Sequence, residues 1–593
     1  MIHLAVAQFK PGKGDYAENL DRIGEILEGL AARPDPPDLL VFPEAALTGY
    51  LLEGGVRDLA VTAGTLFADL QARHARAGAP PLDIAIGFYE SWRGSLYNAA
   101  LYATLGGPHA GIVHIHRKVF LPTYGVFDEE RFVESGLGVQ AFDTRFGRLA
   151  VLICEDAWHS LAPMIAAVQG AQLILIHSAS PARGTQPLEE TLARPANVSR
   201  WERVARYIAE EHGVWVATSQ LVGFEGGKGF AGGSCIVTPR GDVLVRGPLW
   251  DQALIEATVD FAEVGRARAD LPLLSDLQTK LPHLVKSLAD GAQTGGSAEG
   301  QYDGPAPVRR GDGAAPIAAN APDPMAMDCA LVERWLVEFL KEEVTRRRGF
   351  ENVVVGLSGG VDSALVAWLA AQAFGPEHVW GLMLPYRTSS AESLAHAKLV
   401  VDALGINTRT IDISPAVDGY VATNEPDADA SRRGNVMARA RMIVLFDQSA
   451  KLVALPLGTG NKTERLFGYF TWHADDSPPI NPIGDLYKSQ VWALARHLGV
   501  PRQIVEKPAT ADLVKGQTDE GDLGIAYPKA DRILYWLLRG LKPGEIEALG
   551  FSAAEVKVVE RRLSSTHWKR RLPTVAMLSP TAVGEYYLRP VDY

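Results

Sequence analysis

Cysteine is scarce in this chain. Its 593 residues hold three, Cys154, Cys235 and Cys329, and no two are spaced as CxxC. An odd, scattered set argues against a disulfide framework and a cysteine zinc site, and makes the reducing cytoplasm the expected location. Positive charge is also short. Lys and Arg number 58 against 70 Asp and Glu, a formal net charge of −12. A general nucleic-acid binder needs a basic face to meet phosphates, so that class is set aside, although a local basic cluster can still hold a small anion. Clean apolar runs of membrane-spanning length are missing. The uncharged stretch 157–182 is interrupted by Pro163, Gln169, Gly170 and Gln172, so no membrane span is expected. The opening MIHLAVAQFKPGKG lacks a basic segment leading into a long apolar one, and it reads as a first strand, not a secretory signal. No GxxxxGK[ST] occurs, which excludes a Walker-type phosphate loop.

What is present suffices for more than one core. The chain is 47% hydrophobic and 22% charged, ordinary for a globular protein, and its length predicts two or three domains. Residues 1–275 alternate helical patterns with short β-rich runs: IHLAVAQF, DLLVFPE, LDIAIGFYE, RLAVLICED, AQLILIHSAS and VWVATSQLV. Several are nearly continuous in Val, Ile and Leu, as strands buried on both faces are. Residues 232–247 read as a hairpin turning at Pro239-Arg240-Gly241. From about 290 the sequence becomes rich in Gly, Ala and Pro, which predicts a linker. The expected domains are 1–275 and 326–593, with 276–325 between them. The second opens with a helix (CALVERWLVEFLKEEVTRR), a strand (NVVVGLS), a Gly-rich turn, a helix (SALVAWLAAQAF) and a strand (VWGLMLP). That order predicts a parallel, doubly wound, Rossmann-like sheet with ligands at the strand C-termini.

Three residues near strand ends carry complementary chemistry. Glu44 closes DLLVFPE, Lys118 lies in IVHIHRKVFLP, and Cys154 lies in RLAVLICEDAW. A carboxylate can take a thiol's proton, the thiolate can attack an amide, and an ammonium can stabilise the resulting oxyanion. By residue type alone, a Cys in an apolar run is more often a core residue. The surrounding motifs change that balance. FPEAALTGY (42–50), HRKVFLPTYGVFDEERF (116–132) and CEDAW (154–158) resemble, in order, the three signatures of the nitrilase superfamily. The resemblance implies a four-layer αββα fold, with Glu44 as general base, Lys118 as the oxyanion-stabilising lysine and Cys154 as nucleophile. Cys235 matches no functional position and reads as core. The form LPTYGVFDEERF further resembles the glutaminase domains of NAD synthetases. That implies glutamine contacts from Tyr124, Ser180 and Arg183, the last at a shifted spacing in SASPARGTQPLEE.

The second constellation is VVVGLSGGVDS (353–363). Glycines let a backbone approach phosphates, and amide N–H groups at a helix N-terminus supply positive potential. A Gly-Gly turn by itself is more often a plain tight turn. The whole SGGVDS after a buried strand resembles the pyrophosphate-binding loop of ATP pyrophosphatases. ATP contacts are then implied for Gly356, Leu357, Ser358, Gly359, Gly360, Val361, Asp362 and Ser363, and a Mg²⁺ contact for Asp362. LGTGNKTERLFGYFTWHADD (457–476), SRRGNVMARARM (431–442) and HWKRR (567–571) resemble further NAD synthetase segments. They imply that Thr459 meets ATP, that Glu464 meets Mg²⁺ or the dinucleotide, and that Asn435 and Lys569 meet deamido-NAD, with Arg439 nearby. Lys488, Lys507 and Thr510 are candidate ATP or substrate contacts. Without the resemblance, the basic helix and KRR would both read as solvated surface.

The resemblance therefore implies an enzyme that takes glutamine, ATP and deamido-NAD, with Mg²⁺, and that forms homo-oligomers. Free ammonia is mostly protonated at neutral pH, so an enclosed passage for it is expected. Two other glutamine-fed ATP pyrophosphatases fit less well. Asparagine synthetase needs a cysteine directly after the initiator, where this chain has Ile2. GMP synthetase needs a GxCxG-type elbow, whereas Cys154 sits in ICED. A binding protein with dead domains is disfavoured by intact Glu44, Lys118, Cys154 and SGGVDS.

Overall fold

The computed structural model describes residues 1–124, 127–186, 194–294, 323–510 and 518–570. The chain divides into two compact units. The first takes the described residues of 1–184 and 194–294, the second those of 185–186, 323–510 and 518–570.

In the first unit β1 (Ile2–Gln8), β2 (Leu39–Val41), β3 (Leu82–Trp92), β4 (Ser95–Leu105) and β5 (Gly111–Arg117) come first. Then follow β6 (Ala141–Asp143), β7 (Arg148–Ile153), β8 (Leu173–Ser178) and β9 (Trp215–Gln220). β10 (Val222–Glu225) and β11 (Lys228–Ala231) form a small hairpin ahead of β12 (Cys235–Val237), β13 (Val243–Arg246) and β14 (Ala253–Val259). Two six-stranded sheets result, ordered β14-β1-β2-β3-β4-β5 and β13-β12-β9-β8-β7-β6. The alternation of side chains along a strand sorts β1 between two cores. Leu4 and Val6 pack between the sheets with Leu149, Val151, Leu173 and Leu175. Ala5 and Ala7 pack on the other face against Leu20, Ile23 and Leu27 of helix Tyr16–Ala31 and Leu66 of helix Ala63–Ala77. Helices Leu161–Val168 and Ala196–His212 cover the second sheet through Ala166, Trp201, Ala205 and Ile208. The layering is αββα, as the nitrilase resemblance implies. Each fully buried Leu or Ile contributes on the order of 1.5–3 kcal/mol, so this core supplies much of the unit's stability.

The stretch 276–325 does not start as an irregular linker. Helix Leu273–Thr294 runs through its first part, because Leu273, Leu274, Leu277, Leu281, Leu284 and Leu288 recur at helical spacing and Leu274 is buried. The Gly- and Pro-rich remainder, 295–322, lies outside the described residues.

In the second unit β15 (Asn352–Gly356), β16 (Val379–Met383), β17 (Asn407–Thr410) and β18 (Ala454–Pro456) form a sheet ordered β17-β16-β15-β18. All of its pairings are parallel. Helix Val361–Phe374 follows β15 and is apolar all round, with Ala364, Leu365, Val366, Ala367, Leu369 and Ala370 fully buried. The strand order reverses between β15 and β18, so the crevice beyond their C-termini is the expected ligand position.

Candidate active sites

The first site is assembled by short segments leaving strand ends. Glu44 lies just beyond β2, where Ala46 N donates to Gly87 O at 3.0 Å and Gly87 N to Pro43 O at 3.2 Å. A Cβ on Gly87 would sit 2.5 Å from Pro43 O and 2.6 Å from Glu44 Cα, so only glycine lets this segment lie on β3. Lys118 directly follows β5. Its Nζ, fully buried, lies 2.8 Å from Glu44 Oε1 and 2.7 Å from Glu129 Oε2. Asn98 of β4 donates to both carboxylates, at 2.7 Å to Glu44 and 2.9 Å to Glu129. Ala179 N, just past β8, donates to the other Glu44 oxygen at 2.8 Å. Cys154 directly follows β7 with φ at 44°, a strained value for a non-glycine residue that turns the chain out of the strand. Ser178 Oγ lies 3.6 Å from its sulfur.

Electrostatics fit a proton-transfer centre. Burial pushes the Cys154 thiol up, and Glu44 adds to the effect while Lys118 opposes it, so the resting sulfur keeps its proton. Burial alone would lower Lys118, but Glu129 and Glu44 outweigh it and hold the ammonium charged. A neutral thiol therefore shares a dry site with a carboxylate able to take its proton and a cation ready for an oxyanion.

Around this centre, Tyr124 Oη donates to Glu155 Oε2 at 2.9 Å, and the Arg183 guanidinium lies 5.7 Å over the Phe127 ring. Asn197 accepts from Arg183 N at 2.8 Å and donates to Ser180 Oγ at 3.1 Å, tying both into one turn. Glu129, Asn98 and Glu155 are not singled out by sequence reasoning. Their signals were weak: Glu129 sits in the charged run FDEER, which reads as surface, and Asn98 is an ordinary mid-strand residue. Cys235, in β12, is buried in the apolar core.

His177 of β8 braces the Glu44 segment from behind. Its Nδ1 lies 2.6 Å from Phe42 O; a carbonyl only accepts, so Nδ1 carries the hydrogen. Burial pushes this imidazole down to about 4 from an ordinary 6.5. Above pH 6.5 both folded and unfolded chains keep it neutral. As pH falls toward 4 only the unfolded chain takes the proton, so stability is lost over that window, by about 3 kcal/mol at its lower end. Chemical unfolding of the full chain at pH 7 and pH 4.5 is expected to show a shallower acid loss for His177→Gln than for wild type.

The second site surrounds the loop after β15. Gly360 N donates to Ser358 Oγ at 3.2 Å, and Ser363 Oγ donates to Gly360 O at 3.1 Å, closing the turn. A cavity of about 340 Å³ is lined by every residue of Gly356–Ser363 except Gly359, together with Thr459, Glu464, Lys488, Lys507 and Thr510. Gly359, at φ 77°, is pressed against Ser393, whose carbonyl oxygen would lie 2.1 Å from an added Cβ. Lys488 Nζ, nearly buried, sits 2.5 Å from Asp362 Oδ2 and 3.4 Å from Glu464 Oε1. Asn461 fixes both acids. It donates to Asp362 Oδ1 at 2.9 Å and caps helix Lys462–Phe467 by accepting from Glu464 N at 3.0 Å. Buried Asp531 ties that helix to helix Lys488–His497, accepting from Thr463 Oγ1 at 2.6 Å and from Ser489 Oγ at 2.6 Å. Burial first, and then Asp362 and Asp519 against an opposing Lys488, push Glu464 up to about 8. That carboxyl keeps its proton at neutral pH beside the Asp362–Lys488 pair, and the two carboxyl groups are hard oxygen donors of the kind that Mg²⁺ takes.

Asn435 and Lys569 do not line this cavity. They gather on the neighbouring loop 468–476, where Asn435 Oδ1 accepts from Thr471 Oγ1 at 3.2 Å and Lys569 Nζ donates to Gly468 O at 2.8 Å and Phe470 O at 2.9 Å. Arg439 joins them by donating to Trp472 O at 3.1 Å.

Comparison with known proteins matches both units. A carbon–nitrogen hydrolase family model matches residues 3–269, and an NAD synthase family model matches residues 332–573. Fold and sites together define a two-domain enzyme that joins a nitrilase-type amidase to an ATP-pyrophosphatase-type synthetase. The NH(3)-dependent NAD(+) synthetases of Chlorobaculum parvum and Trichlorobacter lovleyi are 47% and 49% identical over 264 residues, 44% of this chain and 95% and 96% of theirs. The chain belongs to the NAD synthetase family. The fold extends over almost the whole chain in two solved structures. The glutamine-dependent NAD+ synthetase of Acinetobacter baumannii, in complex with ADP, gives a TM-score of 0.66 at 23% identity, covering 97% of this chain and 95% of its own. That of Cytophaga hutchinsonii gives 0.68 at 17%, covering 96% and 93%.

Proposed function

We propose that the protein converts deamido-NAD to NAD with ATP, using ammonia that it releases from glutamine. The observation that carries this reading is the presence, in one chain, of the buried Glu44–Lys118–Cys154 cluster and the SGGVDS cavity.

In the amidase unit, residues 1–275, Glu44 takes the Cys154 proton as sulfur attacks the glutamine side-chain carbonyl. The C–O π pair moves to oxygen, and Lys118 faces the charge that develops there. Glu44 returns the proton to nitrogen, the C–N bond breaks, and ammonia leaves a glutamyl thioester. Water, deprotonated by Glu44, then attacks the thioester; glutamate departs and the thiol is restored. Arg183 suits the α-carboxylate of glutamine, and Glu155, held by Tyr124, suits its α-ammonium. Ser180 completes the pocket.

In the synthetase unit, residues 326–593, the loop Gly356–Ser363 and Thr459 hold the ATP phosphates with backbone and hydroxyl donors. A carboxylate oxygen of deamido-NAD attacks the α-phosphorus and pyrophosphate leaves. Ammonia attacks the acyl-adenylate carbonyl and AMP leaves, giving NAD. Asp362 and Glu464 would hold Mg²⁺, which supplies charge neutralisation for the phosphates when bound. Lys488 keeps those carboxylates in register, while Asn435 and Lys569 shape the loop that receives the dinucleotide. The free cysteines support a cytoplasmic setting, where we place the enzyme as a homo-oligomer. Among the described residues, no helix is long and apolar enough to cross a membrane.

NAD formation from deamido-NAD, ATP and Mg²⁺, with glutamine or with ammonium, tests the reading; absence of NAD with both nitrogen sources overturns it. Gly359→Ala adds a Cβ where a backbone oxygen already stands and strains a left-handed residue, so calorimetry is expected to show ATP binding weakened by roughly 100-fold or more.

A further inference from the structure

The two catalytic segments of the amidase unit come from different sheets. Lys118 follows β5 of the first sheet, and Cys154 follows β7 of the second. Between the sheets lies an apolar core, and apolar packing is non-directional: it holds layers together without fixing their register to tenths of an ångström. One buried polar group spans the two segments. The Asp156 carboxylate, 0% exposed, accepts from Val119 N at 2.9 Å and Phe120 N at 3.0 Å through Oδ1. Through Oδ2 it accepts from Ile153 N at 3.0 Å and His116 Nε2 at 2.8 Å. The donors bracket both catalytic residues: Ile153 precedes Cys154, and His116 and Val119 flank Lys118.

We infer that Asp156 is a positioning residue, which with His116 locks the Cys154 turn onto the Lys118 segment and so sets the nucleophile against its oxyanion-stabilising lysine. The inference rests on the glutaminase reading above. Three further features support it. Cys154 adopts φ 44°, a conformation that persists only where surrounding bonds enforce it. His116 is 2% exposed, and its Nε2 is hydrogen-bonded to this carboxylate, so the ring is placed to serve it. Burial alone would raise the Asp156 carboxyl, but the His116 bond and charge and the Phe120 and Ile153 amides outweigh it and hold the group below the usual carboxylate range. It is therefore a full anion able to accept from every donor around it.

Asp156→Asn keeps one carbonyl oxygen for the Val119 and Phe120 amides but turns an NH₂ toward Ile153 N–H and His116, opposing donor to donor. A displacement of the order of 1 Å between reacting groups costs about 100-fold in rate. The test uses the full chain, measuring glutamine hydrolysis and ammonium-driven NAD formation per folded molecule. For Asp156→Asn the expected result is glutaminase kcat down by about 100-fold, KM for glutamine within about threefold, and ammonium-driven NAD formation at the wild-type level. A second pair decides the matter even if that variant fails to fold. His116→Gln keeps a donor within reach of Asp156 and is expected to retain most glutaminase kcat, whereas His116→Phe keeps a ring without the donor and is expected to lose about tenfold. The inference is overturned if Asp156→Asn keeps glutaminase kcat within threefold of wild type. It is also overturned if the His116 variants behave alike, since that would mark a packing role. A wild type that hydrolyses no glutamine would instead sink the underlying functional reading.

Discussion

Cys154→Ala is expected to abolish glutamine-driven NAD formation, by roughly 10⁴-fold or more, while ammonium-driven formation stays within about twofold of wild type. The reason lies in how the site is charged. The thiol is buried and protonated at rest, with Glu44 beside Lys118 as the proposed proton acceptor. Without sulfur no atom of the cluster can form the acyl intermediate, and Lys118 faces no developing oxyanion. The synthetase cavity uses none of these residues, so a supplied nucleophile should still be consumed there. Steady-state assays with glutamine and with ammonium, on one preparation, check both halves. A variant that lost both activities in parallel, while remaining folded, would mean that the division of labour between the two units is wrong.

Lys488→Met is expected to give the mirror image: NAD formation falls about 10³-fold with either nitrogen source, while glutamine hydrolysis persists. Lys488 Nζ is nearly buried between Asp362 and Glu464, with Asp519 adding a third negative group to the same field. Removing one partner of a buried ion pair costs about 3–5 kcal/mol, far more than the pair itself contributes, because the other charge is left unpaired. Asp362 belongs to the SGGVDS loop, and Glu464 is held by the Asn461 cap. Without Lys488, Asp362 loses its buried counter-charge and Glu464 its hydrogen-bond donor, so neither segment keeps its place. Measurement of AMP and NAD release with ammonium, beside glutamate release from glutamine, decides it; retained NAD synthesis would show that Lys488 does not organise the site.

Legibility in the sequence followed chemistry. The central strands of both units read from near-continuous apolar runs, because those strands are buried on both faces. Cys154, Lys118 and Glu44, which the structure gathers in one buried cluster, and SGGVDS, which borders a cavity, stand out in the sequence because each sits in a motif whose residue types suit one task. Helix Leu273–Thr294 was masked by its nearness to the Gly-rich stretch, although its leucines keep helical spacing. Glu129 was hidden because a glutamate in FDEER looks solvated; only the approach of Lys118 and Asn98 from β5 and β4 shows it buried.

By itself, then, the sequence determined two units of α/β type and the kind of chemistry each can perform, since strand periodicity and reactive side chains are local properties. What only the tertiary structure decided is which groups face one another. Glu129 and Asn98 complete the cysteine site, Asp156 bridges two sheets, and Lys488 sits between Asp362, 126 residues away, and Glu464. Lys569 donates to backbone carbonyls on a loop instead of lining the cavity. These pairings depend on buried contacts between segments far apart in the chain, and burial is what turns an ordinary acid or lysine into a group with an altered charge and a fixed place.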